Sequence, residues 1–551
     1  MKMRADQSIA TFCLSGRRLA ILLLTWLSLF AGINTIPVES HEAFVLQAAR
    51  EMDASGNWTV PHFNQEPRLT KPPLNYWLTL GISRLDPFSA DIEPWQGRFW
   101  PVFAGLLILL LTAYTGEKLH GGQAGFLAAL LLLGTKGVAD FSHNARPDFL
   151  YAVLCALQLF AWIGAWQAKD SSAGQSWKAA LGWVLAGLAT LSKGPQVPAV
   201  FLLGFLLFLL CGKERRRVLK VLRPFSGLAV WLVLCLPWWL LLQHRLRVMG
   251  VDIGETQLSG SLLQKLAGWK ELFSFYYILN SLDFLLPASL IIPLLIFWSR
   301  RRFEKPGAAS QPLLYVIAVM LTVFTIGGHY RPHYMLPLLP LLILLLAAAI
   351  DKVAVEHSIY RKLWRSLFAA GITALAVCAA LLVWQRQYAA VLLLAGAGIA
   401  LILLVRKELR EPVWRARPLS AQLLAAALMS AWLFSGFNAL PLRNVERNRE
   451  STFALSVGQA VNAGDLLVAW GEFPDILPYY ARHRVMPVSG LDELKDLFVQ
   501  KNAEHNVYVI VPLKQIPALA GVFEFSVMKT GQNGHKADKA LGLVAIQSIR
   551  Q

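Results

Sequence analysis

Long apolar blocks recur along this chain, and they constrain its fold more than any other feature. The blocks are roughly 16–22 residues long, about the length at which an α-helix crosses the hydrocarbon core of a bilayer. They raise the hydrophobic share of the 551 residues to 56% and leave only 16% charged. A soluble domain carries about 25% charged residues. The sequence therefore predicts an α-helical polytopic membrane protein.

Thirteen blocks are candidate membrane spans. They cover residues 19–36, 99–115, 122–138, 149–167, 179–193, 195–211, 225–243, 278–298, 312–328, 334–350, 366–384, 388–405 and 419–436. The two blocks on either side of Lys193 predict short or tilted helices. The first block follows basic residues and ends without a small-residue cleavage site, so we expect an uncleaved first helix rather than a removed signal peptide.

The distribution of charge predicts how the spans are oriented. The net charge is +18, but Lys and Arg cluster in short loops, which is typical of the cytoplasmic side of a membrane protein. No nucleic-acid partner is therefore expected. If thirteen spans alternate, the basic loops around 213–217, 300–302, 361–365 and 406–417 share one side with the N-terminus. The polar stretch 38–77 and the chain after about Phe437 then face outward.

Acidic, basic and histidine residues gather at the predicted outward ends of the spans. They are Glu39, His41, Glu42, Lys71, Arg146, Asp148, Lys193, Glu255, Arg331 and His333. Charges at membrane depth are costly unless they pair or line a polar cavity. Any one of them alone is equally well explained as an interfacial charge. Their convergence on one face favours a functional site.

The outward stretch 38–77 predicts two helices along the membrane surface. His41 to Ser55 has one apolar side and is followed by Gly56-Asn57, which ends a helix. Lys71-Pro72-Pro73 predicts a rigid extended element, and the residues from Tyr76 to Leu85 predict a second interfacial helix. A further outward loop, Val251 to Phe273, contains Glu255; it either caps the site or is an ordinary interfacial helix.

The C-terminal residues predict a small α/β domain, because strand and helix patterns alternate there. The expected strands are 466–470, 484–488, 507–511, 522–527 and 541–546, and the expected helices are 475–482 and 492–500. We predict a membrane domain over 1–440, including the juxtamembrane loop 37–97, and a periplasmic domain over 441–551. The latter lacks a glycine-rich phosphate loop, so a binding or lid role is expected. The five cysteines lie in or beside apolar segments, which predicts no disulfide framework.

Chemistry on the outer face of a membrane needs a donor that arrives already activated, most simply as a lipid-linked phosphate or diphosphate. Cations are needed to bind the phosphate and stabilise it as a leaving group. A carboxylate or imidazole would act as base toward a hydroxyl acceptor. The candidate phosphate ligands are Lys71, Lys193, Arg146 and Arg331, and the candidate bases are Glu42, Asp148 and His41.

Several motifs resemble the protein O-mannosyltransferase-like superfamily, and more closely the bacterial aminoarabinose transferases that modify lipid A. The matching residues are HEAFVLQAAREMDASGNWTVPHFNQEPRLTKPPLNYW, Arg146-Pro147-Asp148, Leu191-Ser192-Lys193-Gly194-Pro195, Phe275-x-Tyr277 and Arg331-Pro332-His333-Tyr334-x-Leu336-Pro337. The resemblance covers the membrane region well and the last hundred residues only in outline. It implies a GT-C fold, a polyprenyl-phosphate sugar donor and inversion at the anomeric carbon.

The resemblance also implies roles for individual residues. Glu42 is the second acid of an Asp-Glu pair, Lys71 is a donor-phosphate ligand and Asp148 is the acid of the second outward loop. Arg331 and Tyr334 lie in the motif before the tenth span. The residues expected to line the substrate are Glu39, Glu255, His333 and Tyr334.

The chain departs from this family at two positions. His41 stands where the first acid of the pair is expected, with Glu39 two positions upstream as a candidate to compensate. Thr70 stands where an acid implicated in metal binding precedes the Lys-Pro. Whether the protein binds a divalent metal therefore stays open, and Glu42 and His41 are the candidate ligands. A phosphate acceptor would need no strong base, since it is already ionised near pH 7.

A lipid-linked glycosyltransferase in the bacterial inner membrane, with its site facing the periplasm, is the function that these patterns favour. A transporter or flippase would show inverted repeats and charges near mid-span, whereas these charges gather at one face. A sensor or scaffold would leave the polar cluster unexplained. The identity of the transferred sugar stays open. The identity of the acceptor also stays open, and the candidates are lipid A, another glycolipid, a polysaccharide and a protein.

Overall fold

The structure is a computed structural model. It describes residues 15–170, 172–212, 215–251, 275–293, 307–327, 331–352, 372–412, 418–440, 445–501, 504–532 and 540–550. The chain divides into two compact units. The membrane unit comprises Met1–Gly32, Pro101–His244 and Asp252–Ala439, and the juxtamembrane unit comprises Ile33–Trp100, Arg245–Val251 and Leu440–Gln551.

The membrane unit is built from α-helices. They are Gly16–Leu27, Pro94–His120, Gly122–Leu133, Lys136–Ser142, Pro147–Gln167, Ala173–Lys193, Gln196–Cys211, Val218–Leu222, Pro224–Val248, Tyr276–Phe284, Gln311–Ile326, Leu339–Lys352, Ile372–Trp384, Tyr388–Glu408 and Pro418–Asn438. The unit boundary cuts two of these helices, so Pro94–His120 belongs to this unit only from Pro101 and Pro224–Val248 only up to His244. The split at Gly194-Pro195 agrees with the two separate helices predicted on either side of Lys193.

Seven helices in the described part of the chain are long and apolar enough to cross a membrane, or eight if the bent pair Gln123–Leu133 and Lys136–Ser142 is one span. The seven are Pro94–His120, Pro147–Gln167, Arg215–Val248, Ala308–Ile326, Pro332–Ile350, Tyr388–Glu408 and Ala421–Asn438. This is a multi-pass membrane protein, as predicted, while the count of thirteen stays a prediction. Parts of blocks 278–298 and 366–384 lie outside the described residues.

Several predicted spans are interrupted, for local reasons. Block 122–138 bends by 55° between its two helices, where Gly134 ends the first helix and the Thr135 hydroxyl caps the second. Block 19–36 is an α-helix only to Leu27, which a 3₁₀ turn follows. Block 334–350 begins as the 3₁₀ segment Pro332–Leu338, because Pro337 lacks the N–H that a regular helix needs.

The juxtamembrane unit contains the two helices expected after residue 38. The first is Ser40–Ser55, which ends at Gly56 in the left-handed conformation (φ 64°), as the sequence predicts. The second is Leu74–Leu85. The prediction of an extended Lys71-Pro72-Pro73 is wrong at Pro73, which has helical backbone angles (φ −86°, ψ −10°). A proline suits this place because its fixed φ fits the start of a helix.

The described residues of this unit form seven strands. They are β1 His62–Phe63, β2 Glu66–Pro67, β3 Leu466–Trp470, β4 Val485–Val488, β5 Val507–Pro512, β6 Phe523–Gln532 and β7 Ala540–Ile549. β1 and β2 form a short antiparallel hairpin that the sequence analysis missed. The other five form a mixed sheet in the order β4-β3-β5-β7-β6, with β3 parallel to β4 and β5 and the remaining pairs antiparallel. The predicted α/β domain is confirmed.

Both faces of the mixed sheet are covered by helices. They are Val445–Ala460, Leu477–Ala481, Leu491–Lys501 and Ile516–Ala520. Side chains alternate across β3: Leu467 and Ala469 lie in one core, with Phe453 and Leu477. Val468 lies in the other core. This alternation of period two is what a strand covered on both sides requires.

Candidate active site

Asp148 is the centre of a charged cluster at one end of the membrane unit. Its Oδ1 accepts a short hydrogen bond from the Lys193 ammonium, and its Oδ2 accepts one from Arg146 Nε at 2.8 Å. His333 Nε2 lies 3.6 Å from Oδ1. The structure thus brings together four residues that the sequence placed at outward span ends, and Asp148 itself is 4% exposed.

Helix ends position these groups. Arg146 is the extended N-cap residue of Pro147–Gln167, so Asp148 lies in the first helical turn, where an acid interacts favourably with the helix dipole. Lys193 is the last residue of Ala173–Lys193, where a cation is favoured. Tyr151 holds the following turn, because its hydroxyl donates to Gly194 O and accepts from Val197 N, both at 3.0 Å.

The 3₁₀ segment Pro332–Leu338 supplies the third side of the cluster. Its Tyr334 ring lies beneath the Lys193 ammonium, 4.9 Å from the nitrogen to the ring centroid, a cation–π distance. Arg331 is the extended residue before this segment, and it is exposed. Glu255 lies outside the described residues.

The other end of the same helices carries different charges. Arg217 donates to Asp170 at 2.8 Å and to the Trp166 carbonyl at 3.0 Å. Pro147–Gln167 therefore runs from the Asp148 cluster at its start to the basic loop at its end. The two groups of charges therefore lie at opposite ends of one helix, while the alternation of all thirteen spans stays a prediction.

Charge balance defines what the Asp148 cluster can do. One carboxylate faces Lys193 and Arg146, with Arg331 beside His333, so positive charge is in excess. Both carboxylate oxygens already accept hydrogen bonds from cations, which leaves Asp148 little capacity to take a proton from an acceptor. The cluster is suited to binding an anion such as phosphate, with Asp148 orienting the cations.

Glu42, in the juxtamembrane unit, is also held by an arginine. Its two oxygens accept from Arg98 Nε at 2.7 Å and Arg98 Nη2 at 2.8 Å. Both side chains are buried, 1% and 0% exposed. The sequence analysis missed Arg98, because its charge lies just before a predicted span and has no motif of its own.

The neighbours of Glu42 are more accessible. His41 is exposed, and its ring centroid lies 6.0 Å from that of Phe44. Glu39 is half-buried and pairs with Arg447 at 3.2 Å. Of the predicted bases in this unit, His41 is therefore better placed than Glu42 to meet a substrate.

Lys71 is half-buried, and in the chain it lies between the β1–β2 hairpin and the helix Leu74–Leu85. The predicted convergence of Lys71 and Glu42 with Asp148, Lys193 and Arg331 stays a prediction, because these residues belong to separate units.

Comparisons with known proteins find a matching family model and a similar solved structure. Residues 70–241 match PMT_2, the dolichyl-phosphate-mannose-protein mannosyltransferase family. This segment contains Lys71, Arg146, Asp148 and Lys193. The solved structure of ArnT from Cupriavidus metallidurans bound to undecaprenyl phosphate superposes with a TM-score of 0.70 at 19% identity, over 96% of this chain and 97% of that one. This likeness shows the fold.

Two relatives are similar in sequence. One is the undecaprenyl phosphate-alpha-4-amino-4-deoxy-L-arabinose arabinosyl transferase of Pseudomonas savastanoi pv. phaseolicola, 27% identical over 417 residues, which are 74% of this chain and 68% of the relative. The other is an uncharacterized Aquifex aeolicus protein, 28% identical over 340 residues. That alignment covers 59% of this chain and 62% of the relative, less than two thirds of its length. Residues 70–241 of the chain thus match the PMT_2 family, and the chain is distantly similar in sequence to the aminoarabinose transferases.

The described part of the chain does not offer the ligands that a divalent metal would need. In the described part of the chain, no three His, Cys, Asp or Glu side chains are grouped to hold a metal ion. Thr70, at the position where the resemblance implies an acid, offers only a neutral hydroxyl. Both Glu42 oxygens are taken by Arg98. The described residues do not fit a divalent metal, so no catalytic step is assigned to one.

Proposed function

We propose that this chain is an inverting glycosyltransferase of the bacterial inner membrane, which moves a sugar from a polyprenyl-phosphate donor to an acceptor at the periplasmic face. The observation that carries the proposal is the Asp148–Lys193–Arg146 cluster at the ends of two membrane helices, inside the segment that matches the PMT_2 family. A site at the end of a span suits a donor with a lipid tail.

The cations act on the leaving group. Departure of polyprenyl phosphate concentrates negative charge on the phosphate oxygens, and preorganised cations stabilise that charge. Lys193, Arg146 and Arg331 take this role in the membrane unit, and Lys71 takes it in the juxtamembrane unit. Asp148 keeps Lys193 and Arg146 in place. The undecaprenyl phosphate named for the ArnT structure and for the Pseudomonas enzyme supports this class of donor.

The acceptor attacks the anomeric carbon from the face opposite the phosphate. His41 is the candidate base for a hydroxyl acceptor, because it is exposed whereas Glu42 is saturated by Arg98. A phosphate acceptor, such as that of lipid A or another glycolipid, would need no base. Transport of a lipid-linked sugar without reaction is the alternative, but the charges lie at helix ends rather than at mid-span, where a transported substrate would be held.

The test is sugar transfer by the purified full-length protein in detergent, with radiolabelled polyprenyl-phosphate sugars and membrane glycolipids. Lys193→Met and Lys71→Ala should each lower the transfer rate by roughly a hundred-fold or more, as loss of a transition-state donor does. Lys220→Met is the matched control, because Lys220 also pairs with an aspartate (3.4 Å to Asp170) but at the opposite helix end. Wild-type rates in both test variants would refute the site.

A further inference from the structure

Arg68 lies between aromatic rings in the juxtamembrane unit, directly after the β1–β2 hairpin. Its guanidinium carbon is 3.6 Å from the centroid of the Phe44 ring and 5.9 Å from that of Phe63. Those two rings meet edge to face at 4.8 Å. The Arg68 backbone N–H donates to Pro61 O at 2.8 Å. The Phe44 ring therefore covers one face of the guanidinium and helps to hold it in place.

The donors of this guanidinium are not all used. Arg68 Nε is buried without a hydrogen-bond partner among the described residues, and so is Thr70 Oγ1, two residues further on. The guanidinium hydrogen-bonds to the Tyr76 hydroxyl, which is neutral because burial raises the pKa of Tyr76 to about 12. The nearby carboxylate of Asp475 is exposed and acts on Arg68 through space.

Other arginines of the same unit show what Arg68 lacks. Arg98 binds both oxygens of Glu42, and Arg50 binds both oxygens of Asp91, at 2.6 and 3.0 Å. A cation removed from water without a bonded anion is costly. Burial lowers the pKa of Arg68, but a guanidinium stays protonated in proteins. An anionic group from outside would satisfy the unused donors.

We propose that Arg68, with Thr70, binds a carboxylate or phosphate group carried by one of the two substrates, in addition to the phosphate of the donor. The planar edge of a guanidinium matches both groups, and the Thr70 hydroxyl supplies another donor. That the ligand is a substrate rests on the proposed transferase function. It follows that the transferred sugar is acidic or the acceptor is phosphorylated.

The experiment measures how small probes stabilise the purified full-length protein against heat, since a ligand of the native state raises its midpoint of unfolding. The probes are D-glucuronate, glycerol 3-phosphate and, as the uncharged control, D-glucose, all at millimolar concentrations. We expect at least one anion to stabilise the wild type and D-glucose not to. Arg68→Gln should weaken that binding by roughly ten- to hundred-fold, the range for hydrogen bonds to charged groups.

Arg84→Gln is the matched control. Arg84 also stacks on an aromatic ring, 4.5 Å above Trp58, but it has a carboxylate partner in Asp53 at 2.8 Å. It should leave probe binding unchanged. Thr70→Val changes little volume, so it tests the same site without removing the charge if Arg68→Gln folds poorly. It should weaken binding by roughly ten-fold, the effect of one hydrogen bond to a charged group.

The two anions distinguish the source of the group. An Arg68-dependent effect of D-glucuronate alone indicates an acidic transferred sugar, and one of glycerol 3-phosphate alone indicates a phosphorylated acceptor; an effect of both supports a subsite that takes either. Stabilisation of the wild type by neither anion, or equal stabilisation in Arg68→Gln, would overturn the proposal. Lys193→Met should lose transfer but keep Arg68-dependent probe binding, so this subsite and the transferase function fail separately.

Discussion

Two buried carboxylates, Glu42 and Asp148, both predicted as candidate catalytic bases, have opposite surroundings. In the juxtamembrane unit, Glu42 and Arg98 neutralise each other, and both are at most 1% exposed. The remaining Arg98 donors go to the backbone carbonyls of Ile33, at 2.9 Å, and Ile36, at 2.8 Å. In the membrane unit, Asp148 faces Lys193 and Arg146, which are 8% and 16% exposed.

The difference shows that charge balance, rather than residue type, separates a structural ion pair from a binding site. Glu42–Arg98 is neutral, dry and satisfied, so it fixes the chain that leads into the helix Ser40–Ser55. The Asp148 cluster keeps excess positive charge at a partly exposed surface, so it can still bind an anion. The comparison predicts loss of stability from breaking the first pair, and loss of activity from disturbing the second.

The largest expected effect is that of Arg98→Met. It leaves the Glu42 carboxylate buried without a cation, and breaking a buried pair in this way costs about 3–5 kcal/mol. We expect a large drop in the temperature at which the detergent-purified protein loses its monodisperse size-exclusion peak. The double variant Arg98→Met/Glu42→Met removes both charges and should recover much of the loss. If the single variant is as stable as the wild type, Glu42–Arg98 does not have the structural role assigned to it.

Much of the fold could be predicted from the sequence, because it depends on local patterns. Hydropathy blocks locate most of the helices, and short apolar runs that alternate with helical patterns locate the strands of the mixed sheet. The interruptions were not predictable in the same way. Gly134 and Pro337 break helices within apolar blocks, and hydropathy averages over such single residues.

The candidate site could be predicted only in part. The Asp148, Lys193 and His333 positions follow from charges at span ends, which the membrane makes conspicuous. Their division of roles did not follow, because it depends on partners distant in sequence. Arg98 lies 56 residues from Glu42, and Arg68 directly follows a hairpin that no sequence pattern indicated. Only the folded structure shows which carboxylates are already satisfied.

A smaller effect is expected from Asp148→Asn, which tests the functional side of the comparison. The neutral amide holds Lys193 and Arg146 less firmly, so the transfer rate should fall by roughly ten- to hundred-fold, in line with the loss of charged hydrogen bonds. A positioning residue leaves the shape of the pH–rate profile unchanged, whereas loss of a general base removes its acidic limb. Asp170→Asn, at the opposite helix end, is the control. A profile that loses its acidic limb would make Asp148 the base.

The smallest effect concerns Tyr76. Its neutral phenol is the hydrogen-bond partner of Arg68, so it extends the comparison to an arginine without a bonded carboxylate among the described residues. Burial raises the pKa of Tyr76 from 10.0 to about 12, so folding favours the protonated form. The contribution of Tyr76 to the free energy of unfolding is complete below about pH 10 and is lost as the pH rises toward 12. In this pH window only the unfolded chain releases the phenol proton. At pH 11 the loss is about 1.4 kcal/mol, one pKa unit. Tyr76→Phe should therefore flatten the fall in thermal stability between pH 10 and 12. The same slope in both proteins would show that Tyr76 is not held protonated beside Arg68.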